Sequence, residues 1–478
     1  MDERPSPRVV VLGAGIAGLT AAYELEKLAR RAGQPIEVSL LEASPRAGGK
    51  VKTLREDGLV FECGPDSFLT ARPHALELIE ELGLSNELMA TNGERKTIYI
   101  YRGGRLRAFP EGMSLITPSR LWPFLFSDLL SWRGKLRVAL EPWMPQGKGD
   151  HDESIASFVR RRLGGEALDV IAAPMLAGIY AGDAETMSLR STFPPLREME
   201  KAGGLLKSAR LRRAPASKPG VTLFMTLKGG LSTVTEALSA RLSPGVLKTG
   251  CIVEKLERRD FGWVVDTNQG AFEAAAVISA LPASIFADVL GEGNGELISV
   301  LREIRFASTA TVSLVYDAQG FPRAHDGFGF LVPRGEGKTI TAATFTSTKF
   351  PGRATSGQVL IRCFLGGEGR DEALKADDAE LGKAVAAELN GILGLGGAVC
   401  RSFKVSRWPQ ANPQYSVGHG LRLKRIDSCL KSRRGLFAAG CSYRGIGLSD
   451  CILSGRQAAA QAVEAVMFGR RSRAGAVS

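Results

Sequence analysis

One stretch near the start constrains the fold more than any other. The apolar run Val9 to Leu12 stops at Gly13 and passes through Ala14, Gly15, Ile16, Ala17 and Gly18 before a helical repeat begins. In the segment TAAYELEKLARR, Ala22, Leu25 and Leu28 recur at helical spacing; beyond Gly33, Ile36, Val38 and Leu40 alternate with polar residues into Leu41-Glu42. Strand, glycine-rich turn, helix and strand in that order make a βαβ unit built to hold a dinucleotide. Gly13 permits the tight turn, Gly15 lets backbone N–H groups approach a pyrophosphate, and Gly18 lets helix and strand pack closely. The helix N-terminus offers unpaired N–H groups to the anion. Glu42 ends the second strand 24 residues after Gly18. Its carboxylate can accept from both ribose hydroxyls of an adenosine and would repel a 2′-phosphate.

With 478 residues the chain calls for two or three domains, enough to bury a cofactor between them. Lys and Arg outnumber Asp and Glu 62 to 50, a net charge of +12. That surplus favours an acidic partner, whether anionic lipid, an anionic substrate or nucleic acid, or is only a general basic drift. No recognition module or aromatic-interleaved basic platform is present, so nucleic acid is not expected. Seven scattered cysteines without a CxxC pair encode neither a disulfide framework nor a zinc site, which fits a cytoplasmic protein. Four histidines, His74, His151, His325 and His419, show no metal-ligand spacing, and no GxSxG nucleophile motif occurs. No metal and no protein-borne catalytic acid, base or nucleophile is therefore expected. No signal peptide and no apolar stretch of ~18 residues is found.

The residues after Glu42 read EASPRAGGK, from Glu42 and Ala43 through Arg46 to Gly49 and Lys50. They resemble the second glycine-rich loop of the amine-oxidase-like flavoproteins, which implies FAD rather than NAD. Arg46 could pair with phosphate bidentately, and Gly48-Gly49 permit close backbone approach; the alternative is a plain surface loop. Further blocks follow in order: FECGPDSFL (Phe61 to Leu69) with LIEELGL, AGIYAGDAETMSLRSTFP (from Ala177), GFGFLVP (from Gly327), RWPQANPQYSVGH (from Arg407) and GCSYRGIGLSDCI (from Gly440). They resemble the bacterial protoporphyrinogen and coproporphyrinogen III oxidases. The resemblance implies an α/β fold: a Rossmann-type FAD-binding domain from residues 7–65, 215–300 and 410–470, a sheet-based substrate domain from 66–112, 186–214 and 301–409, and a helical membrane-facing domain from 113–185.

In that family FAD carries the chemistry, a porphyrinogen losing six electrons in three steps with molecular oxygen as acceptor and hydrogen peroxide as product. The protein binds and positions. Carried over residue by residue, the cofactor contacts are Gly13, Ala14, Gly15, Ile16, Ala17, Gly18, Glu42, Ala43, Arg46, Gly49 and Lys50. Gly64, Pro65, Asp66, Ser67, Val253, Trp408, Gly440, Gly447 and Leu448 complete that set. For the substrate, Gly178 would bring backbone against the macrocycle, Leu331 and Phe345 would supply wall contacts, and Arg72 could pair with a propionate. Two departures stand out. Ile98 replaces the substrate-pairing arginine that plant and animal relatives place before the tyrosine matching Tyr99; this tilts the reading toward the tetracarboxylate coproporphyrinogen III, clamped by Arg72 or Lys96. Cys441 replaces an acid found in many relatives. Ser449 or Asp450 is expected to cap a last helix from Cys451 to Met467.

The segment LWPFLFSDLLSW, Leu121 to Trp132, followed by Arg133, Lys135 and Arg137, is too short to span a bilayer but could lie in its interface. It implies peripheral contact on the inner face of the cell membrane; a buried helix pair is the alternative. The basic stretch with Lys201, Lys207, Arg210, Arg212, Arg213 and Lys218 reads as a loop for lipid or another haem-pathway enzyme. Two other functions are compatible with the motifs: oxidation of an amine or polyene, and a non-catalytic flavin-binding partner at the membrane.

Overall fold

The computed structural model describes residues 6–474 except 115, 148, 150, 212–219, 261, 320, 322–325 and 397. The apolar run becomes β1 (Arg8–Leu12), the centre of a five-stranded parallel sheet. On one side lie β2 (Glu37–Glu42) and the strand Leu247–Thr249; on the other lie Ala276–Ser279 and Leu436–Ala438. Both faces are covered, which is why β1 does not alternate: Val9 and Val11 enter one core, Val10 and Leu12 another. Helix α1 (Ile16–Arg31) packs on the first of these faces beside the C-terminal helix Leu448–Ala474. The two helices approach until a Cβ on Gly455 would lie 2.3 Å from the Ala17 carbonyl oxygen.

A second, mainly antiparallel sheet has seven strands, in the order Cys400–Pro413, Phe306–Asp317, Gln358–Gly366, Ile340–Phe345, Gly329–Leu331, Ile98–Arg102, Arg105–Ala108. Alternation along it is regular. Val312, Leu314, Phe330, Cys363 and Ile361 pack with Val385 and Leu389 of the helix Asp378–Leu393, leaving the other face for the site. A third, helical layer is organised around Phe124, Phe158, Leu168, Leu176, Leu196 and Leu206.

These cores redraw three limits read from the sequence. The helices Leu189–Thr192, Pro194–Lys201 and Leu205–Leu211 bury Leu189, Leu196, Met199, Leu205 and Leu206 in the helical layer, so 186–211 goes with that layer and not with the substrate sheet. Phe68, Leu78 and Ile79 pack in the core around β1, so within 66–112 it is the two strands between 98 and 108 that join the large sheet. The strand Cys400–Pro413 runs through the limit at 409. The basic stretch is also corrected: Lys201 and Lys207 with Arg210 lie on helices, held there by their inward-facing leucines. Arg212, Arg213 and Lys218 lie outside the described residues. Among the described residues no helix is long and apolar enough to cross a membrane.

Candidate active site

At the end of β1 the turn is closed by the Gly13 N–H, which donates to the Leu41 carbonyl at 2.7 Å. Gly13 has φ +89°, a conformation that disfavours any side chain. A Cβ on Gly18 would lie 1.8 Å from the Gly13 carbonyl oxygen, so nothing larger fits, whereas Gly15 faces open space. The N-terminus of α1 has no acidic residue in its first turn and no side-chain cap, leaving its N–H groups and dipole available to an anion. Glu42 is held from both sides: Oε2 accepts the Ala14 N–H at 2.7 Å and Oε1 the Ser44 N–H at 2.9 Å. Each carboxylate oxygen keeps a lone pair for a ribose hydroxyl.

The loop after Glu42 folds back onto the first. The Gly48 N–H donates to the Ala14 carbonyl at 2.7 Å, and a Cβ on Gly49 would lie 3.1 Å from Gly15 Cα. Ala43 is exposed on this loop. Arg46 is bonded within the loop. Its Nη1 donates to the Ala47 and Val51 carbonyls and its Nη2 to Gly49 at 2.7 Å, so it shapes the loop. The Cys251 N–H bonds the Glu42 carbonyl at 2.9 Å, and half-buried Val253 begins the strand that leaves from there.

A second cluster gathers distant segments on the carbonyl of Cys63. It accepts Trp408 Nε1 at 2.7 Å, Arg362 Nη2 at 3.1 Å and the Thr311 hydroxyl at 3.3 Å. Arg362 also donates to the Gly64 carbonyl. A Cβ on Gly64 would lie 1.8 Å from the Lys50 carbonyl oxygen and 3.8 Å from the Trp408 ring. Pro65 is exposed beside it. Asp66 accepts the Ser67 hydroxyl at 2.6 Å and Lys349 Nζ at 3.1 and 3.2 Å. Burial alone would raise its carboxyl, but Lys349, Arg362 and Ser67 outweigh it and bring it down to about 2.

Gly440 (φ +105°) lies beside Ala17 and donates to Ser454 Oγ at 3.0 Å. The C-terminal helix starts at Leu448, three residues before the expected Cys451. Asp450 Oδ2 accepts the Gly447 N–H at 3.3 Å and closes the first turn from within. Ser449 is not its cap; its hydroxyl donates to the Arg72 carbonyl at 3.0 Å and accepts the Ala75 N–H at 3.3 Å.

Register decides which side chains of the large sheet share a face. Leu331 pairs with Ala342, Ala342 with Phe364, Phe364 with Thr311, and Thr309 with Trp408. Leu331, Phe364, Thr311 and Trp408 therefore share the face turned away from the helix Asp378–Leu393. Ile98 opposite Gly329 joins them. Exposed Gly178, on the helix Ala173–Tyr180, meets this face, with its Cβ position 3.3 Å from Leu331 Cδ2. Phe345 does not. It pairs with Ile361, packs against Phe330 at 6.1 Å between ring centroids and is buried on the helix-covered face, so it is core and not a wall contact. Arg72 is about half exposed and forms an ion pair with Asp450. It also faces Tyr180, whose phenol burial pushes up to about 12.

Arg362, Lys349 and Thr311 do as much to assemble this site as the residues expected for it. The one sequence signal was an arginine inside an apolar strand, VLIRCFLG. A family model described as flavin containing amine oxidoreductase matches residues 16–463. The chain belongs to this family. Flavin is thus its cofactor, and the open Gly15 turn, the uncapped α1 N-terminus and the doubly anchored Glu42 fit the diphosphate and ribose of FAD. Among relatives within this flavoprotein family, the chain is 34% identical over 463 residues to a coproporphyrinogen III oxidase of Bacillus subtilis (strain 168), covering 95% of this chain and 97% of that protein. It is 34% identical over 488 residues to a protoporphyrinogen oxidase of Bos taurus, covering 95% and 98%. A crystal structure of an Exiguobacterium sp. 255-15 protein provisionally assigned as a protoporphyrinogen oxidase superposes with a TM-score of 0.85 at 30% identity, over 95% of this chain and 98% of that one. Reduced UDP-galactopyranose mutase shares the fold alone, with a TM-score of 0.73 at 16% identity over 96% of each chain.

Proposed function

We propose that this flavoprotein is a porphyrinogen oxidase of haem biosynthesis, acting on coproporphyrinogen III in preference to protoporphyrinogen IX. One observation carries the reading: Leu331, with Gly178 of the helix Ala173–Tyr180 against it, lies on the same sheet face as Trp408, whose indole meets the Cys63–Gly64 turn, so a flat macrocycle there would reach the segments expected at the flavin ring. The names of the relatives above support the substrate class. Bound FAD supplies the two-electron acceptor, used three times for six electrons, with oxygen restoring it and hydrogen peroxide leaving. The chain's own part is positioning. Glu42, Gly15 and the α1 N-terminus anchor the dinucleotide, with Ala14, Ile16, Ala17, Ala43, Gly49, Val253 and Leu448 beside it. Gly64, Trp408, Gly440 and Gly447 border the ring end, and Leu331 and Ile98 give the apolar wall. Arg72, with exposed Lys96, is the cation at the rim for propionates. Offering the FAD-loaded protein each porphyrinogen separately in air and following porphyrin fluorescence tests the assignment. Faster turnover of coproporphyrinogen III is expected, and no turnover of either above autoxidation would end it.

A second element concerns location: peripheral attachment at the cytoplasmic face of a membrane. The helix Trp132–Ala139 and the turn after it expose Trp132, Leu136, Leu140 and Trp143 along one side, and Trp122 stacks on Phe126 at 6.1 Å with both largely exposed. Such aromatic stripes suit a membrane interface. The basic flank is thinner than the sequence suggested. Arg133 is exposed, but Lys135 is buried, donating to the Leu125 carbonyl and lying 4.4 Å from the Trp132 ring centre, and Arg137 bonds the Arg161 and Arg162 carbonyls. Apolar contact should therefore dominate over charge. Co-sedimentation with phosphatidylcholine vesicles should survive high salt and be lost in a W132A/W143A protein.

A further inference from the structure

Two stacked rings hold the loop 440–447 by its backbone. Tyr415 and His419 lie 4.1 Å apart between ring centroids with 14° between their planes, and both are buried. The Tyr415 hydroxyl donates to the Cys441 carbonyl at 2.6 Å and accepts the Gly445 N–H at 2.9 Å. His419 Nε2 lies 2.8 Å from the Tyr443 carbonyl oxygen; a carbonyl can only accept, so Nε2 carries the ring's proton. Burial lowers the imidazole to about 4, which leaves it neutral at pH 7 with that single proton. Residues 441, 443 and 445 are thus each held by one of the two rings, while Ser454 and Asp450 hold the ends of the loop at Gly440 and Gly447.

The segment that carries the rings is tied on its other side to the helical layer. The Ser188 N–H donates to the Tyr415 carbonyl at 2.8 Å, and the Val417 N–H to the Thr186 carbonyl at 2.9 Å. Asp152 bridges the two, Oδ1 accepting the Ser188 hydroxyl and Oδ2 the Gly418 N–H, both at 2.9 Å. Tyr415 packs in the core of that layer, its ring 6.2 Å from that of Tyr180, on the helix Ala173–Tyr180 that sets Gly178 against Leu331.

We propose that Tyr415 and His419 are positioning residues that set the loop 440–447 for the flavin and couple FAD binding to the seating of the helical layer. Gly440 and Gly445 have φ of +105° and +123°, and glycine loses more conformational freedom than any other residue when it is fixed. Holding the backbone between them in advance lowers the ordering cost that binding must meet. The coupling is reciprocal: a flavin that needs the ordered loop favours the seated layer, and a layer freed from the loop weakens the flavin. This rests on the placement of Gly440 and Gly447 beside the flavin, and not on which substrate is oxidised.

The full chain, stripped of flavin, is titrated with FAD, and amide hydrogen exchange is followed with and without it. In the parent protein FAD should slow exchange across 441–448 and also at Ser188 and Val417. Tyr415→Phe keeps the stack and removes two hydrogen bonds, so the Kd for FAD should rise about tenfold and the effect of FAD at Ser188 and Val417 should vanish. His419→Phe keeps the stack and removes an imidazole whose Nδ1 is buried without a partner, leaving only the Tyr443 carbonyl unpaired. The stability of the flavin-free chain should therefore change little while Kd rises several-fold, and His419→Gln, whose Nε2 keeps a donor, should restore affinity. Asp152→Ala, in the helical layer, should also raise Kd, and in combination with Tyr415→Phe the two effects should fall short of their sum. Parental affinity in Tyr415→Phe, additive effects in the double variant, or no response of Ser188 and Val417 to FAD in the parent would overturn the proposal. Absence of protection across 441–448 in the parent would instead remove the placement of the loop beside the flavin, and the proposal with it.

Discussion

The two clusters of the candidate site, the Gly13–Gly18 turn expected at the dinucleotide end and the Cys63 cluster expected at the ring end, are made in different ways. At the dinucleotide end, the turn at Gly13–Gly18, Glu42 and the Gly48–Gly49 loop come from one continuous stretch, and their contacts to one another are chiefly backbone. At the ring end, Cys63, Thr311, Arg362 and Trp408 come from four separate strands or turns and meet through side chains. A site made of backbone fails when a side chain is added. A site made of side chains from several strands fails when one partner is removed, and otherwise tolerates change.

The largest contrast is between two glycines. Gly18→Val forces a side chain into the Gly13 carbonyl, so stability should fall by about 3 kcal/mol or more and bound flavin should be lost. Gly178→Val, facing the substrate side, should keep its flavin and lie within about 1 kcal/mol of the parent, with KM raised roughly tenfold. Flavin absorbance per chain and denaturant midpoints check both, and loss of flavin from the Gly178 variant would break the comparison. Next is Glu42→Gln, which should weaken FAD binding by about 2 kcal/mol, near 30-fold in Kd, as a charged acceptor is lost; flavin titration of the stripped protein reads it directly.

At the ring end, the Asp66 carboxyl at about 2 lies below its ordinary 3.8, so its contribution is complete above pH 4 and disappears as pH falls from 3.8 toward 2. The shift corresponds to roughly 2 kcal/mol, both partners being well buried. Asp66→Asn should lower the unfolding free energy at pH 6 by that amount, measured by denaturant titration, and its curve against pH should meet the parent's near pH 2. The smallest effect belongs to Arg72→Met. The Arg72–Asp450 pair is solvent-exposed on the arginine side, so stability should change by less than about 1 kcal/mol. KM for coproporphyrinogen III should rise several-fold, and more than that for protoporphyrinogen IX, which sharpens the role of the rim.

How far the chain could be read varied with the same contrast. The βαβ unit was legible because strand, turn and helix are local events and glycine spacing reports backbone conformation directly. Arg46 stayed open between two roles because a guanidinium beside a glycine loop can serve phosphate or the loop's own carbonyls, and its hydrogen bonds run to three carbonyls within the loop. Phe345 was misread because an apolar residue near a strand end carries no mark of which face it takes. Its pairing with Ile361 turned it toward the covering helix. Lys135 lies in the membrane-like segment with the basic sign expected, yet its stem and ammonium turn inward to Leu125 and Trp132. Lys201, Lys207 and Arg210 looked like loop because charge and glycine dominate there, while Leu196 and Met199 hold the helix that ends at Lys201, and Leu205 and Leu206 the one that carries Lys207 and Arg210.

By itself, the sequence determined the strand–turn–helix–strand unit, the acid that ends its second strand, the flavin family and the segments from which the candidate site would be drawn. Those depend on periodicity, glycine positions and motif order, all of which are properties of neighbours along the chain. Tertiary structure alone decided that three donors converge on the Cys63 carbonyl, that Asp66 finds Lys349, that Leu331 and Phe345 part to opposite faces, and that Cys441 meets Lys50. Strand register and the packing of segments hundreds of residues apart set those contacts, and neither is written in any one stretch of the chain.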